Sequence, residues 1–257
     1  MIRAGRAALA ETGRLFGLGL DVLAAVPRRP FQVRELIEQA WFVTRVCALP
    51  TALFTIPFGA TIALLLSDLT RQFGAQSQTG AGSVVAIVQQ AAPIVTALVI
   101  AGAAGSAVCA DLGARTIREE IAALEVLAVS PIQRLVVPRV LAMILVAVVL
   151  NGLATVVGVA GGYYFNVIVQ GGTPGAYIAS FTTIAQVADI VVGEIKAALF
   201  GLAAGIVAAY RGLNPAPGPK GVGDAVNQSV VISFVLVFLI NLVVTTIYLQ
   251  VVPSKGG

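Results

Sequence analysis

The chain has 257 residues, of which 58% are hydrophobic and only 11% charged. Soluble domains carry about a quarter charged residues, so polar surface is too scarce here to cover a water-soluble globule. The formal net charge is +4, and where those charges sit says more than their sum. The absence of histidine excludes His-based catalysis and imidazole metal ligation, and Cys47 and Cys109, both in apolar runs, exclude a disulfide scaffold. The composition describes an all-α integral membrane protein, with no catalytic residue, metal site or nucleic-acid partner expected.

Residues 1–45 are expected to form an N-terminal cytoplasmic or interfacial segment, because Arg3, Arg6, Glu11, Arg14 and Asp21 interrupt every apolar run. No signal-peptide apolar region survives that spacing, so the N-terminus is expected to be retained. After the Pro27-Arg28-Arg29-Pro30 break, Phe31, Glu35, Ile37, Glu38, Trp41 and Phe42 suggest an amphipathic helix. It lies either in the headgroup layer, with Arg28, Arg29 and Arg34 near anionic lipid, or packed on the spans.

A helical span needs roughly 20 apolar residues, and residues 46–257 hold five such stretches. They run from about Val46 to Ser67, Val84 to Ala110, Val140 to Val169, Val187 to Tyr210 and Ala225 to Val252. Pro50 and Pro57 interrupt the first and Pro93 the second, and the third is long enough to require tilting, kinking or protrusion. Arg3, Arg6, Arg14, Arg28, Arg29, Arg34, Arg45, Arg115, Arg118, Arg134, Arg139, Arg211 and Lys220 fall on one side of these spans; only Arg71 and Lys255 fall on the other. The bias predicts a cytoplasmic N-terminus and an external C-terminus.

The external connections, Asp68 to Ser83 and Gln170 to Gln186, are short and rich in Gly, Ser, Thr and Gln. Pro215, Pro217 and Pro219 hold the fourth-to-fifth connection extended. Gly218-Pro219-Lys220-Gly221 imitates a phosphate loop without its spacing, and no G-x-x-x-x-G-K-[ST] pattern occurs, so ATP hydrolysis is not expected of this chain. The connection Asp111 to Pro131 differs in kind. Thr116 to Leu127 contains strong helix formers and no Gly or Pro, with Ile117, Ile121, Leu124 and Ala128 along one face and Arg118, Glu119, Glu120 and Glu125 on others. The pattern alone fits either a surface connector or a helix that docks a soluble partner.

The run Glu119-Glu120-Ile121-Ala122-Ala123-Leu124-Glu125, with Ser130-Pro131 and Leu135-Val136-Val137-Pro138-Arg139-Val140-Leu141-Ala142, resembles the MlaE/YrbE family of ABC-transporter permeases. Ala103 to Ala107, Asp111-Leu112-Gly113, and the series Asp189, Gly193, Lys196, Phe200-Gly201, Gly212-Leu213, Gly221 to Gly223 and Ser229 to Val231 extend the resemblance over roughly Val46 to the C-terminus. Glu120 and Ala122 depart from the commoner Gln and Asp of the family. Within it the chain is most similar to the A-type member of actinobacterial YrbE pairs encoded with Mce proteins.

The resemblance implies a permease domain over residues 46–257 in the cytoplasmic (inner) membrane, working with a cytoplasmic ABC ATPase and Mce lipid-binding proteins. It also implies a second permease subunit of the B type and a hydrophobic substrate, a fatty acid, sterol or phospholipid, moved by import. No cofactor is implied for this chain; ATP and Mg belong to the partner ATPase. The Thr116–Leu127 segment becomes the ATPase-coupling helix, presenting Arg118, Glu119, Glu120, Ile121, Leu124 and Glu125.

Ionisable residues inside a span are costly and normally face protein or water. Asp189 and Lys196 are seven apart and share a face of the fourth span, whereas Glu194 is rotated away from Asp189 and lies nearly opposite Lys196. They are the substrate-cavity candidates: Lys196 meets an anionic lipid group in a dimer cavity, and Asp189, Glu194 or a carboxylate of the second subunit pairs with it when the cavity is empty. The alternative is a structural ion pair with Lys196 snorkelling. Gly102, Gly105, Gly158, Gly161 and Gly162 allow close helix contact, within one subunit or at a dimer seam. Two other function classes compete: an ion-coupled secondary transporter relaying through Asp189, Glu194 and Lys196, and a structural membrane anchor of an Mce complex.

Overall fold

The computed structural model describes residues 2–27 (side chains from Glu11 onward), 32–75 and 78–251. Arg28, Arg29, Pro30, Phe31 and Lys255 lie outside them, as do the side chains of Arg3 and Arg6. The described residues form α1 (Ile2–Ala25), α2 (Val33–Gln72), α3 (Thr79–Ile117), α4 (Glu120–Val126), α5 (Ile132–Val169), α6 (Pro174–Ile184), α7 (Val187–Leu213) and α8 (Gly218–Val251). Among them α2, α3, α5, α7 and α8 are long and apolar enough to cross a membrane. Only 11% of the apolar window of α8 is buried, and Val231, Val235, Phe238, Leu239 and Leu242 stand exposed along it. Such a surface is stable against hydrocarbon and not against water.

The spans run longer than their apolar cores. The amphipathic segment expected around residues 31–42 is the first part of α2 from Val33, because no Gly or Pro separates it from the first span. Pro50 and Pro57 remain inside that helix. Around them Thr51 donates to Cys47 O at 2.8 Å, Thr55 to Thr51 O at 2.7 Å and Thr61 to Pro57 O at 2.9 Å, adding side-chain hydrogen bonds in the turns that proline weakens. Helix α3 absorbs Pro93 and its small residues through π-helical turns at Val84–Ala91 and Ile100–Ala104.

The amphipathic N-terminal helix is α1. Phe16, Leu20 and Leu23 are exposed on one face, whereas Val22 and Ala25 are buried and Gly19 approaches Ile206 of α7. In the Gln170 to Gln186 connection, Pro174 occupies the start of α6, where its missing N–H removes no helical bond.

Two compact units are assembled from these segments, each of the five long helices contributing to both. The first comprises Met1–Thr44, Ile100–Val146 and Gly201–Val237; the second comprises Arg45–Val99, Ala147–Phe200 and Phe238–Gly257. In the first, Gly201 lets α7 reach the backbone of α5, where an added Cβ would lie 2.6 Å from Met143 O and 2.8 Å from Ile144 Cα. In the second, a Cβ on Gly158 would lie 2.8 Å from Ile87 Cγ2, and one on Gly162 would lie 2.9 Å from Ile87 Cδ1. Gly158 and Gly162 therefore serve packing within the chain. Gly102, Gly105 and Gly161 have room for a methyl group, their nearest atoms being 3.5–4.0 Å from an added Cβ.

The contrast is measurable. Gly201→Ala has to displace backbone and is expected to lower stability by about 1–3 kcal/mol, whereas Gly161→Ala is expected to change it by less than about 0.5 kcal/mol. Unfolding of the two variants in mixed micelles compares them directly.

Candidate functional site

Two groups of polar residues stand out, one in each unit. In the second unit Asp189 and Lys196 lie on α7 and are both buried, 3% and 2% exposed. They do not pair with each other. Lys196 Nζ donates to Thr245 Oγ1 of α8 at 2.8 Å and to Gln89 O of α3 at 3.2 Å. Gln89 lies in the π-helical turns that precede Pro93, and its carbonyl is the one Lys196 reaches. The Gln89 side chain turns the other way, its Nε2 donating to Asp189 Oδ1 at 2.8 Å. Asp189 also accepts from Tyr248 OH and, at 2.8 Å, from the backbone N–H of Gln186. One glutamine thus bridges the two charges with its side chain and its carbonyl.

Glu194 points elsewhere, as its rotation on α7 predicts. Asn151 of α5 donates to Glu194 Oε1 at 3.2 Å, while Glu194 Oε2 and Asn151 Oδ1 are buried without a partner among the described residues. Gly152 and Gly193 flank this pair, and an added Cβ would come within 3.8 Å of Glu194 Oε1 and 3.4 Å of Asn151 Nδ2, respectively. The carboxylates named as partners for Lys196 are therefore engaged by Gln89, Tyr248 and Asn151. The ammonium has two neutral oxygen acceptors for its three N–H donors and, among the described residues, no carboxylate within ion-pair distance.

In the first unit the charges converge beneath α4. The continuous helix expected over Thr116–Leu127 is broken: α3 ends at Ile117, and Glu119 takes φ +61° before α4 starts at Glu120. Thr116 Oγ1 donates to Gly212 O of α7 at 3.0 Å and to Leu112 O at 2.9 Å, which holds the end of α3 in place. At the other end of α4, Ala128 takes φ +57°, with Ala128 N donating to Glu125 O and Val129 N to Leu124 O, a Schellman closure with Ala where Gly is usual. Each left-handed non-Gly residue costs about 1–2 kcal/mol. Two such residues therefore bracket α4.

None of α4 is buried. Ile121 and Leu124 are half-buried, Glu119 and Glu125 are exposed, and the apolar tip is Val126, 87% exposed, with Leu127 beside it. Ile117 belongs to α3 and does not join that face. Arg115 spans Asp111 at 3.3 Å and Glu120 at 3.4 Å, and Arg118 meets Glu120 at 2.9 Å. Below them Arg139 of α5, 1% exposed, reaches Asp111 Oδ2 at 2.6 Å and Glu35 of α2 at 3.7 Å, and donates to Leu135 O at 2.8 Å. The exposed pairs contribute about 0–1 kcal/mol each. Arg139 is different, since its charge is already out of water.

The sequence reading missed Arg139, Asp111, Gln89, Thr245 and Tyr248 as functional positions. Only Gln89 carried a local signal, an amide in an apolar run one turn before a proline.

Removing one partner of a buried pair leaves the other charge uncompensated, at a cost of about 3–5 kcal/mol. Asp111→Asn is expected to lose stability on that scale. Arg139→Met is expected to lose much less, because Asp111 keeps Arg115 and solvent, and the double variant should resemble Arg139→Met alone. Melting temperatures of the three variants in detergent test the order.

The family model for the permease MlaE matches residues 36–247. A probable ABC transporter permease protein of Rickettsia bellii (strain RML369-C) is 28% identical over 239 residues, covering 93% of this chain and 92% of its own length. A probable ABC transporter permease protein of Synechocystis sp. is 33% identical over 178 residues, 69% of this chain and 68% of its own. The intermembrane phospholipid transport system permease protein MlaE of Haemophilus influenzae is 30% identical over 176 residues, 68% and 67% of the two chains. The matched region takes in every residue of both polar groups except Glu35 and Tyr248. The chain is a multi-pass membrane protein and belongs to the MlaE permease family.

Proposed function

We propose that this chain is the membrane-spanning subunit of an ABC-type lipid transporter, working with a cytoplasmic ATPase, a second permease subunit and Mce-type lipid-binding proteins. The observation that carries the reading is α4. It is a short helix with an exposed apolar tip at Val126 and Leu127, and its base is tied by Glu120, Arg115, Asp111 and Arg139 to α3 and α5. A partner that grips the tip moves the ends of two long helices together, because the buried Arg139 cannot leave Asp111 without a large electrostatic cost. The relatives named as probable ABC transporter permeases support an ATPase as that partner. ATP and Mg then belong to the ATPase, and this chain converts its motion into movement of lipid.

Lys196 suits an anionic lipid group. Its ammonium is already desolvated and satisfied by only two neutral oxygens, so an anion that displaces either of them gains a charge-assisted contact. The phospholipid named for the Haemophilus relative supports a phospholipid here, with fatty acids and sterols as further hydrophobic candidates, moved by import. The basic residues Arg115, Arg118, Arg134, Arg139, Arg211 and Lys220 support a cytoplasmic α4 and N-terminus and an external C-terminus.

Affinity purification of the tagged chain in mild detergent is expected to recover an ATPase. Val126→Asp with Leu127→Asp is expected to reduce that recovery at least tenfold without changing the elution volume of the permease itself. A chain that purifies without an ATPase, or a double variant that retains it fully, would overturn the assignment of α4. Cys47 and Cys109 are buried, so Val126→Cys provides a single accessible thiol; it is expected to react with a membrane-impermeant maleimide only in inside-out vesicles.

A further inference from the structure

At the end of α2 in the second unit lies a cavity of about 230 Å³ that the transport reading does not use. That volume is below the roughly 300–1,000 Å³ of pockets that hold drug-sized ligands, so it suits a headgroup-sized fragment and not a whole lipid. Its walls are polar: Ser67 and Arg71 from the last turns of α2, Asn166 and Gln170 from the end of α5, and Thr173 and Tyr177 from the start of α6. No Asp or Glu lines it. Asp68, on the same turns of α2, is exposed and is not within ion-pair distance of Arg71.

We propose that this cavity binds a phosphate group, with Arg71, Asn166 and the N-terminus of α6 as its donors. Arg71, exposed where it lines the cavity, donates through Nη2 to Gln170 O at 2.8 Å, which fixes one edge of its guanidinium. Its remaining N–H groups face no carboxylate among the described residues, and phosphate is the planar fork's natural acceptor. Asn166 lines the cavity and is only 6% exposed, and the side-chain amide of Gln170 beside it has its Oε1 buried without a partner among the described residues. A buried amide in that state is costly unless a ligand completes it. Gly172 makes the room, because an added Cβ there would sit 2.6 Å from Asn166 Oδ1.

The third donor is backbone. Helix α6 is 11 residues long, and Thr173 at its N-cap makes no side-chain cap hydrogen bond. Its first-turn N–H groups therefore keep the partial positive charge that anions seek. The opposing end of α2 is closed by its own turn, with Phe73 N donating to Leu69 O, Gly74 N to Arg71 O and Ala75 N to Thr70 O. Those carbonyls are spent on the chain and do not present a row of free acceptors to the cavity.

The proposal rests on the lipid-transport reading only for the source of the phosphate, a phospholipid headgroup; free phosphate has the same chemistry. The test is native mass spectrometry of the full-length chain in detergent with three probes: dioleoylphosphatidic acid, dioleoylglycerol and inorganic phosphate. The wild-type chain is expected to bind phosphatidic acid at least tenfold more tightly than dioleoylglycerol. Arg71→Gln should remove about tenfold of that affinity and leave dioleoylglycerol binding unchanged. Thr173→Asp separates site from scaffold: aspartate is a good N-cap and should stabilise α6, yet its carboxylate occupies the donors and repels phosphate. Loss of phosphatidic acid binding with a raised melting temperature is the expected signature.

Inorganic phosphate that displaces phosphatidic acid in an Arg71-dependent way would support the site with free phosphate as an occupant; no displacement would support the lipid headgroup. Equal binding of phosphatidic acid and dioleoylglycerol by the wild-type chain, or wild-type affinity in both variants, would overturn it. Recovery of the ATPase does not involve Arg71, so failure of this site and failure of the transporter assignment give different results.

Discussion

The contact between Arg139 and Asp111 constrains everything built around α4. A guanidinium that is 1% exposed cannot be left alone in a membrane protein, so α3 and α5 must stay in the register that delivers the carboxylate. Asp111 is shared with Arg115, and Arg115 with Glu120, so the first residue of α4 is positioned from a charge buried on another helix. Glu35 adds α2 to the same group at a longer distance. The two left-handed residues that bracket α4 fit this logic, because strain of that kind persists only where surrounding contacts over-determine the backbone.

The chain's broad architecture was legible in its sequence because hydropathy acts over windows of about 20 residues and averages out local exceptions. Five spans follow from composition, and the rotation of Glu194 away from Lys196 follows from helical geometry alone. What failed was local. The break at Arg118–Glu119 was hidden because Thr116–Leu127 contains no Gly or Pro, so propensity favours one unbroken helix. The tertiary bond from Thr116 to Gly212, together with the Arg115–Glu120 pair across the break, overrides it. An amphipathic N-terminal helix was legible as such, but only after the Pro27–Pro30 break, because the apolar stripe of α1, Phe16, Leu20 and Leu23, is interrupted in sequence by charges.

Pairing of charges was the least legible feature. Asp189 and Lys196 share a face, and a sequence reading joins opposite charges that do so. The structure inserts Gln89 between them, because a glutamine can answer a carboxylate with its amide while its own carbonyl meets the ammonium. No periodicity in α7 contains that information, since it resides on α3 and α8.

The two buried cations show how the same electrostatic cost is met in opposite ways. Arg139 is neutralised in place by a carboxylate at 2.6 Å and gains nothing from a further anion. Lys196 is desolvated to a similar degree but held by a hydroxyl and a backbone carbonyl, which satisfy hydrogen bonds without cancelling charge. Arginine's rigid fork suits a permanent joint, and lysine's single flexible point charge suits a contact that must form and release. A carboxylate placed against Lys196 would cancel its charge and weaken by the same amount its attraction for any other anion. Engaging Asp189 with Gln89 and Tyr248, and Glu194 with Asn151, keeps both acids from quenching the ammonium while keeping each of them hydrogen-bonded.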